Sequence, residues 1–166
     1  MEKKFELTDN FVINALGIKL FQIKCTKAFK NANEGDLGGY VEKEENLSQS
    51  GDAWVYGDAW VYGNAQVYGN AQVYGDARVS GDAWVSGDAR VENDHMHCGF
   101  DCFGSCNRHT HAYMTNENKV EIRCGCFRGS IEEFERKVKE THAGTIYEKQ
   151  YKAIINLIKI KFGIDG

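Results

Sequence analysis

The chain has 166 residues, a net charge of −4, six cysteines and no proline. That length holds one main domain and a small one. The acidic balance argues against general nucleic-acid binding, and no run of about 18 apolar residues is present to span a membrane.

The first residues, Met-Glu-Lys-Lys-Phe-Glu-Leu-Thr, lack the apolar core of a signal peptide. Six cysteines without an export signal point to a reducing cytoplasm, with thiols or metal rather than disulfides. Residues 3–30 read as two or three short strands by rough alternation. Phe5, Leu7, Ile18, Leu20, Phe21 and Ile23 are expected to plug the open apolar end of the neighbouring segment. An N-terminal β cap is therefore assigned to residues 1–36.

Residues 34–50, EGDLGGYVEKEENLSQS, lead into a repeat. Leu37 and Val41 are four apart, and Leu47 fits the small-or-apolar corner position, so repetition is expected to start near Leu37. From Gln49 the chain runs in six-residue words: QSGDAW, VYGDAW, VYGNAQ, VYGNAQ, VYGDAR, VSGDAW, VSGDAR, then Val91. Six residues is too short a period for a helical repeat and matches a β-helix. Each word after the first carries a β-branched valine and, four places on, a small alanine; Gly-Asp or Gly-Asn between them bends the chain. Three words per coil place residues 18 apart in stacked strands about 4.8 Å apart. That map sets Tyr56 over Tyr74, Trp60 over Arg78, Tyr62 over Ser80, Gln66 over Trp84, and Trp54, Gln72 and Arg90 in one column. The aromatics Trp54, Tyr56, Trp60, Tyr62, Tyr68, Tyr74 and Trp84 then face outward. So many exposed rings mark an interface between copies of the chain, although stabilising ladders along a sheet use the same residues.

The word structure resembles the hexapeptide-repeat, left-handed parallel β-helix family; the left hand and a homotrimeric assembly are what that resemblance implies. GDLGGYVEKEENLSQSGDAWVYGDA is similar to the leading segment of a bacterial and phage subgroup. The β-helix is placed at residues 37–94, and the subgroup implies nothing about chemistry.

After Val91 the period stops. Residues 95–103, HMHCGFDCF, and 109–115, HTHAYMT, read as strands, followed by a hairpin into Val120 to Cys124. Ser130-Ile131-Glu132-Glu133 is a capping box that starts a helix from Ile131 to about His142, and Gly144 ends it. Thr145 and Glu148 open a second helix that ends near Phe162. Residues 95–166 thus form a small α+β domain of about three strands and two helices. Its GSCNRHTHAY and CGCFRGSIEEFERKVKETHAGTIY stretches resemble a small domain of phage and prophage proteins to which no activity attaches.

Four chemistries compete. Acyl transfer of the hexapeptide type needs a loop histidine as base, yet all five histidines lie beyond the repeat. Metal binding could draw on His95, His97, Cys98, Cys102 and Cys106, but zinc wants four converging ligands and strand alternation divides this set. Anion binding has two arms. Ser105, Asn107 and Arg108, with His109, His111 and Tyr113 on the next strand, offer donors and a bidentate guanidinium. Arg128 and Ser130 stand at a helix N-terminus, and His142 could stack on a base. The fourth chemistry is a purely structural or protein-binding role.

The reading is a non-enzymatic, phage-type, cytoplasmic homotrimer that binds a small anion without cofactor. The expected ligand is a nucleotide immune signal sequestered against host defence. A host-protein inhibitor or scaffold is the alternative, and an acyltransferase the outsider.

Overall fold

The computed structural model describes residues 2–164. The chain is mainly β with two helices and forms two compact units, one up to Asp94 and one from His95 onward.

In the first unit, β1 (Phe5–Ile13) and β2 (Lys19–Cys25) form an antiparallel hairpin. β2 continues onto β3 (Leu37–Val41), again antiparallel. Seven two-residue strands come next: β4 (Trp54–Val55), β5 (Trp60–Val61), β6 (Gln66–Val67), β7 (Gln72–Val73), β8 (Arg78–Val79), β9 (Trp84–Val85) and β10 (Arg90–Val91). They pair in parallel in three separate columns, β3-β5-β8, β4-β7-β10 and β6-β9. Within the repeat, partners are 18 residues apart: Trp60 with Arg78, Gln66 with Trp84, and Trp54 with Gln72 with Arg90. The region is β-solenoid-like.

The words explain the columns. Every repeat valine from Val55 to Val91 is fully buried, and the alanines are at most 4% exposed. Burying each valine contributes about 1.5–3 kcal/mol, and the small alanine fills the bend beside it. Gly69 adopts φ +70°, and a Cβ there would stand 3.0 Å from the Gly87 nitrogen in the next layer. The turns also bond across layers. Asn64 Nδ2 donates to Asp82 Oδ1 at 3.0 Å, and Asn70 Nδ2 to Asp88 Oδ1 at 3.2 Å. Where Asp58 and Asp76 lie 18 apart instead, Arg78 donates to both backbone carbonyls, at 3.0 and 2.7 Å, and lies 3.9 Å over the Trp60 ring.

The N-terminal segment joins the repeat's own sheet through β2 and β3. Phe5, Leu20 and Ile23 are fully buried, whereas Leu7, Ile18 and Phe21 are only half-buried. Leu37 is 56% exposed, so Val41, not Leu37, is the first core residue of its column. The glycine pair after Leu37 is a packing device. A Cβ at Gly38 would meet Ile23 Cγ1 at 2.6 Å, and one at Gly39 would meet Ala59 O at 2.7 Å. Asn46 closes the start of the third column. Its buried amide donates to Gly63 O at 3.1 Å and Ala65 O at 2.8 Å, while Leu47 bridges to Val67.

One outward assignment is corrected. Trp54 is 1% exposed. Phe5 and Phe29 meet its ring edge-on, at 6.4 and 5.5 Å between centroids. The loop before β3 also reaches this column, because Asn31 Nδ2 donates to Asp52 O at 2.5 Å and Tyr56 Oη donates to Asn31 O at 3.1 Å. An alternating map of the repeat alone cannot see a covering loop from twenty residues upstream. Tyr56, Trp60, Tyr62, Tyr68 and Tyr74 are half-buried, and Trp84 is 40% exposed.

The second unit is an antiparallel meander of four strands, β11 (His97–Phe103), β12 (Arg108–Met114), β13 (Val120–Cys124) and β14 (Phe127–Ser130), followed by α1 (Ile131–His142) and α2 (Ile146–Phe162). The fourth strand corrects the expected three: Phe127–Ser130 pairs with β13, with Cys124 opposite Phe127. Both helices cover one sheet face. Ala112, Val120, Ile122 and Cys124 pack there against Ile131, Phe134, Val138, Tyr151, Ile154, Ile155 and Ile158. No helix among the described residues is long and apolar enough to cross a membrane.

Candidate functional site

Strand alternation divides the expected anion site between the two faces of the second sheet. Side chains at Arg108, Thr110 and Ala112 take the helix side of β12, and His109, His111 and Tyr113 take the other. On β13 and β14, Cys124 and Phe127 belong to the helix side, while Glu121, Arg123 and Arg128 lie opposite.

The helix side holds a cleft of about 280 Å³ lined by Ser105, Cys106, Arg108, Cys124, Cys126, Phe127, Phe134, Lys137, Val138, Thr141, His142 and Tyr151. Of the expected ligand-binding residues, Ser105, Arg108 and His142 meet here. Asn107, at φ +47°, shapes the turn from Gly104 to Asn107 that presents Ser105 and Cys106. The remaining lining residues are not among those expected from the sequence, although helix spacing carries a signal. Phe134, Lys137, Val138, Thr141 and His142 fall at i, i+3, i+4, i+7 and i+8 on one face of α1.

The cleft is cationic at its mouth and aromatic along its wall. The Arg108 guanidinium is exposed and lies beside the thiols of Cys106 and Cys126 on the cleft lining. The Cys106 sulfur beside it, with a smaller contribution from Cys126, raises its pKa above the ordinary arginine value. Gly125 makes this approach feasible, since a Cβ there would stand 2.1 Å from Arg108 Nη1. Lys137 is exposed and paired loosely with Glu140 at 3.8 Å. Along the wall, the Phe127 and Phe134 rings are 5.0 Å apart, Phe134 meets Tyr151 edge-on at 5.6 Å, and His142 stacks on Tyr151 at 5.5 Å. Burial, reinforced by a hydrogen bond with Cys124, pushes the Tyr151 phenol well above the usual range, so it stays neutral.

The opposite face is a polar network. His97 Nδ1 and His111 Nε2 are 3.0 Å apart, and His109 Nδ1 lies 2.5 Å from Asp101 Oδ1. Tyr113 donates to Glu121, whose carboxylate also accepts from Arg128 Nε at 2.6 Å and Nη2 at 3.1 Å. His111 and Tyr113 are 1% and 0% exposed.

This geometry overturns the second arm of the expected anion site. Arg128 is neutralised by Glu121 and faces away from the cleft. The α1 N-terminus is filled by its own side chains. Ser130 Oγ accepts from Glu133 N at 3.3 Å, Glu133 Oε2 accepts from Ser130 N at 2.8 Å, and Glu132 Oε2 accepts from Ser130 Oγ at 2.8 Å. Two carboxylates there repel an anion. His109, His111 and Tyr113 are likewise turned from the cleft by their strand parity.

The metal set also disperses. Cys98 packs toward the helices, where burial raises its thiol pKa to about 11, while His97 points to the other face. Cys102 is exposed at φ +62°, Cys106 sits in the cleft turn, and His95 lies in the short helical turn Asp94–Met96. Among the described residues no group of three or more His, Cys, Asp or Glu side chains is arranged to hold a metal ion.

A groove of about 570 Å³ also opens on the repeat unit, lined in part by Glu44, Glu45, Gln49, Gln66 and Tyr68. Its described lining contains carboxylates and no basic side chain, so it is the wrong charge for an anion.

A family model described as YdcK Beta solenoid repeat matches residues 71–87. The similarity lies wholly within the repeat and bears on architecture, not on the cleft. No curated protein matches the chain.

Proposed function

We propose that this is a non-enzymatic binding protein whose cleft between β12, the β13–β14 turn and α1 takes up a small anion carrying a planar ring, of the size and chemistry of a nucleotide. One observation carries the reading: Arg108 and Lys137 stand on the same cleft as the Phe127, Phe134, Tyr151 and His142 rings. A guanidinium binds phosphate or carboxylate bidentately, and an aromatic wall gives a base a surface to stack on. A volume near 280 Å³ lies just below the usual ligand-pocket range, which runs from about 300 Å³ upward; it suits a mononucleotide better than a dinucleotide.

The repeat, in this proposal, winds as a left-handed parallel β-helix and joins three chains, so that three clefts are displayed together and a multivalent partner gains avidity. Exposed Trp84 and half-buried Tyr62, Tyr68 and Tyr74 support the interface; buried Trp54 does not contribute to it. A phage origin and sequestration of a host nucleotide signal rest on resemblance alone.

Calorimetric titration of the intact chain with adenosine 5′-monophosphate tests the cleft, and native mass spectrometry of the same sample tests the trimer. Arg108→Ala should weaken binding at least about tenfold, which is about 1.4 kcal/mol. Arg128→Ala, on the far sheet face, should leave it unchanged. Equal loss in both variants, or equal affinity in all three proteins, would remove the cleft from consideration.

A further inference from the structure

We propose that Cys106 and Cys126 form a redox-active dithiol at the mouth of the cleft, reacting with acidic low-molecular-weight disulfides that Arg108 draws in. The inference uses the same cleft but does not require that a nucleotide occupy it.

Three observations converge. Cys106 and Cys126 are both exposed free thiols, whereas Cys25 and Cys124 are buried. Both line the cleft with Arg108. They arrive there from different turns. Cys106 belongs to the turn from Gly104 to Asn107, and Phe103 pairs with Arg108 across it. Thr110 pairs with Cys124, the last residue of β13, and the Arg108 side chain lies against Gly125 of the turn that follows, in which Cys126 is the next residue. One guanidinium thus stands beside two thiols twenty residues apart in sequence, on the lining of one cleft. Reactive cysteines sit in electropositive, accessible places of this kind, and a second thiol close by is what resolves a mixed disulfide.

The chemistry balances as two exchanges. One cysteine sulfur, as thiolate, attacks a sulfur of the incoming disulfide RS–SR. A protein–S–SR bond forms, the S–S bond of the reagent breaks, and RS⁻ leaves and takes up the proton the cysteine gave to solvent. The second cysteine then attacks the protein-bound sulfur of the mixed disulfide. A Cys106–Cys126 bond forms and a second RSH departs. The small disulfide is reduced to two thiols, and the two protein thiols are oxidised to one disulfide. Arg108 attracts the carboxylates of the reagent and stabilises the departing thiolate.

The test is time-resolved intact-mass and peptide mapping of the full chain treated with glutathione disulfide. Glutathionylation should appear first on Cys106 or Cys126 and then give way to a Cys106–Cys126 disulfide. Exposed Cys102, outside the cleft lining, should react at least tenfold more slowly. Cys126→Ser and Cys106→Ser should each stop at the mixed disulfide on the remaining thiol. Arg108→Ala should slow the first step several-fold, and Arg108→Lys should recover part of the rate, which separates charge from packing. Reaction of Cys102 at the same rate, or mixed disulfides that never resolve to the internal bond in wild type, overturns the proposal. Adenosine 5′-monophosphate titration of the wild-type chain keeps the two readings apart: nucleotide affinity beside unreactive thiols sinks the dithiol alone.

Discussion

A Cβ placed on Gly104 would stand 2.0 Å from the Tyr151 hydroxyl oxygen. The turn that presents Ser105 and Cys106 to the cleft is therefore seated directly against α2, and the Gly104 amide is tied to the same helix through Gln150 Oε1 at 2.9 Å. Gly144 is the natural control, because it has the same φ of +76° with nothing within 4 Å of a built Cβ. Gly144→Ala should cost only the left-handed backbone penalty, roughly 1–2 kcal/mol. Gly104→Ala adds a collision with a buried ring and should cost more, within the roughly 1–3 kcal/mol expected of overpacking on top of that penalty. Urea midpoints of the two variants decide it, and equal shifts would mean that Tyr151 does not abut the turn.

Trp54 and Trp60 occupy successive words of the same repeat but differ in surroundings. Trp54 is enclosed by Phe5 and Phe29, while Trp60 lies half-buried under Arg78. Trp54→Ala should cost about 3–5 kcal/mol as a buried large-to-small change. Trp60→Ala should cost about 1 kcal/mol, mostly the lost cation–π contact. Thermal or urea unfolding measures both, and a milder effect at Trp54 than at Trp60 would place the covering loop wrongly.

Lys4 brings a charge into that enclosure. It is 6% exposed, its Nζ donates to Ala53 O at 2.9 Å, and it lies 4.9 Å from the Phe29 ring centre. Burial lowers its pKa from 10.5 to about 8, outweighing the opposing pull of Asp52 and Cys25. Below pH 8 both folded and unfolded chains carry the ammonium, and folding bears the full cost of burying it. Between about pH 8 and 10.5 the folded chain has released the proton while the unfolded chain still holds it. Stability therefore rises with pH through that window. The difference between wild type and Lys4→Met, measured by urea unfolding, should shift in favour of wild type across the window and level off above it. A flat difference would show that the ammonium stays hydrated.

The Asn-to-Asp stacking in the turns predicts a salt-sensitive defect. Asn64→Asp or Asn70→Asp exchanges an amide donor for a second carboxylate facing Asp82 or Asp88. Each should destabilise by about 0.5–1 kcal/mol, as like charges placed opposite do. Part of that loss should return at about 1 M salt, where the screening length falls to about 3 Å. An effect indifferent to salt would assign it to the lost hydrogen bond instead.

Local patterning carries the repeat and the helices. A valine every six residues with alanine four places on marks a layered repeat, and its paired strands lie 18 residues apart. Ser130 and Thr145 mark the starts of α1 and α2 because capping is a contact within one turn of chain. Strand parity is equally legible and separates Arg108 from His109, whereas grouping residues 105–113 as one site treats neighbours in the chain as neighbours in space. Contacts between distant segments are not legible in this way. The loop at Phe29 and Asn31 buries Trp54, β14 forms by pairing Phe127–Ser130 with β13, and α1 and α2 bring Phe134, Lys137, His142 and Tyr151 to Arg108. None of these has a local period, since each depends on how surfaces from separate parts of the chain fit together. The layered repeat and the helix boundaries are written in local pattern; the cleft exists because folding sets the Arg108 side chain against turns from two separate hairpins.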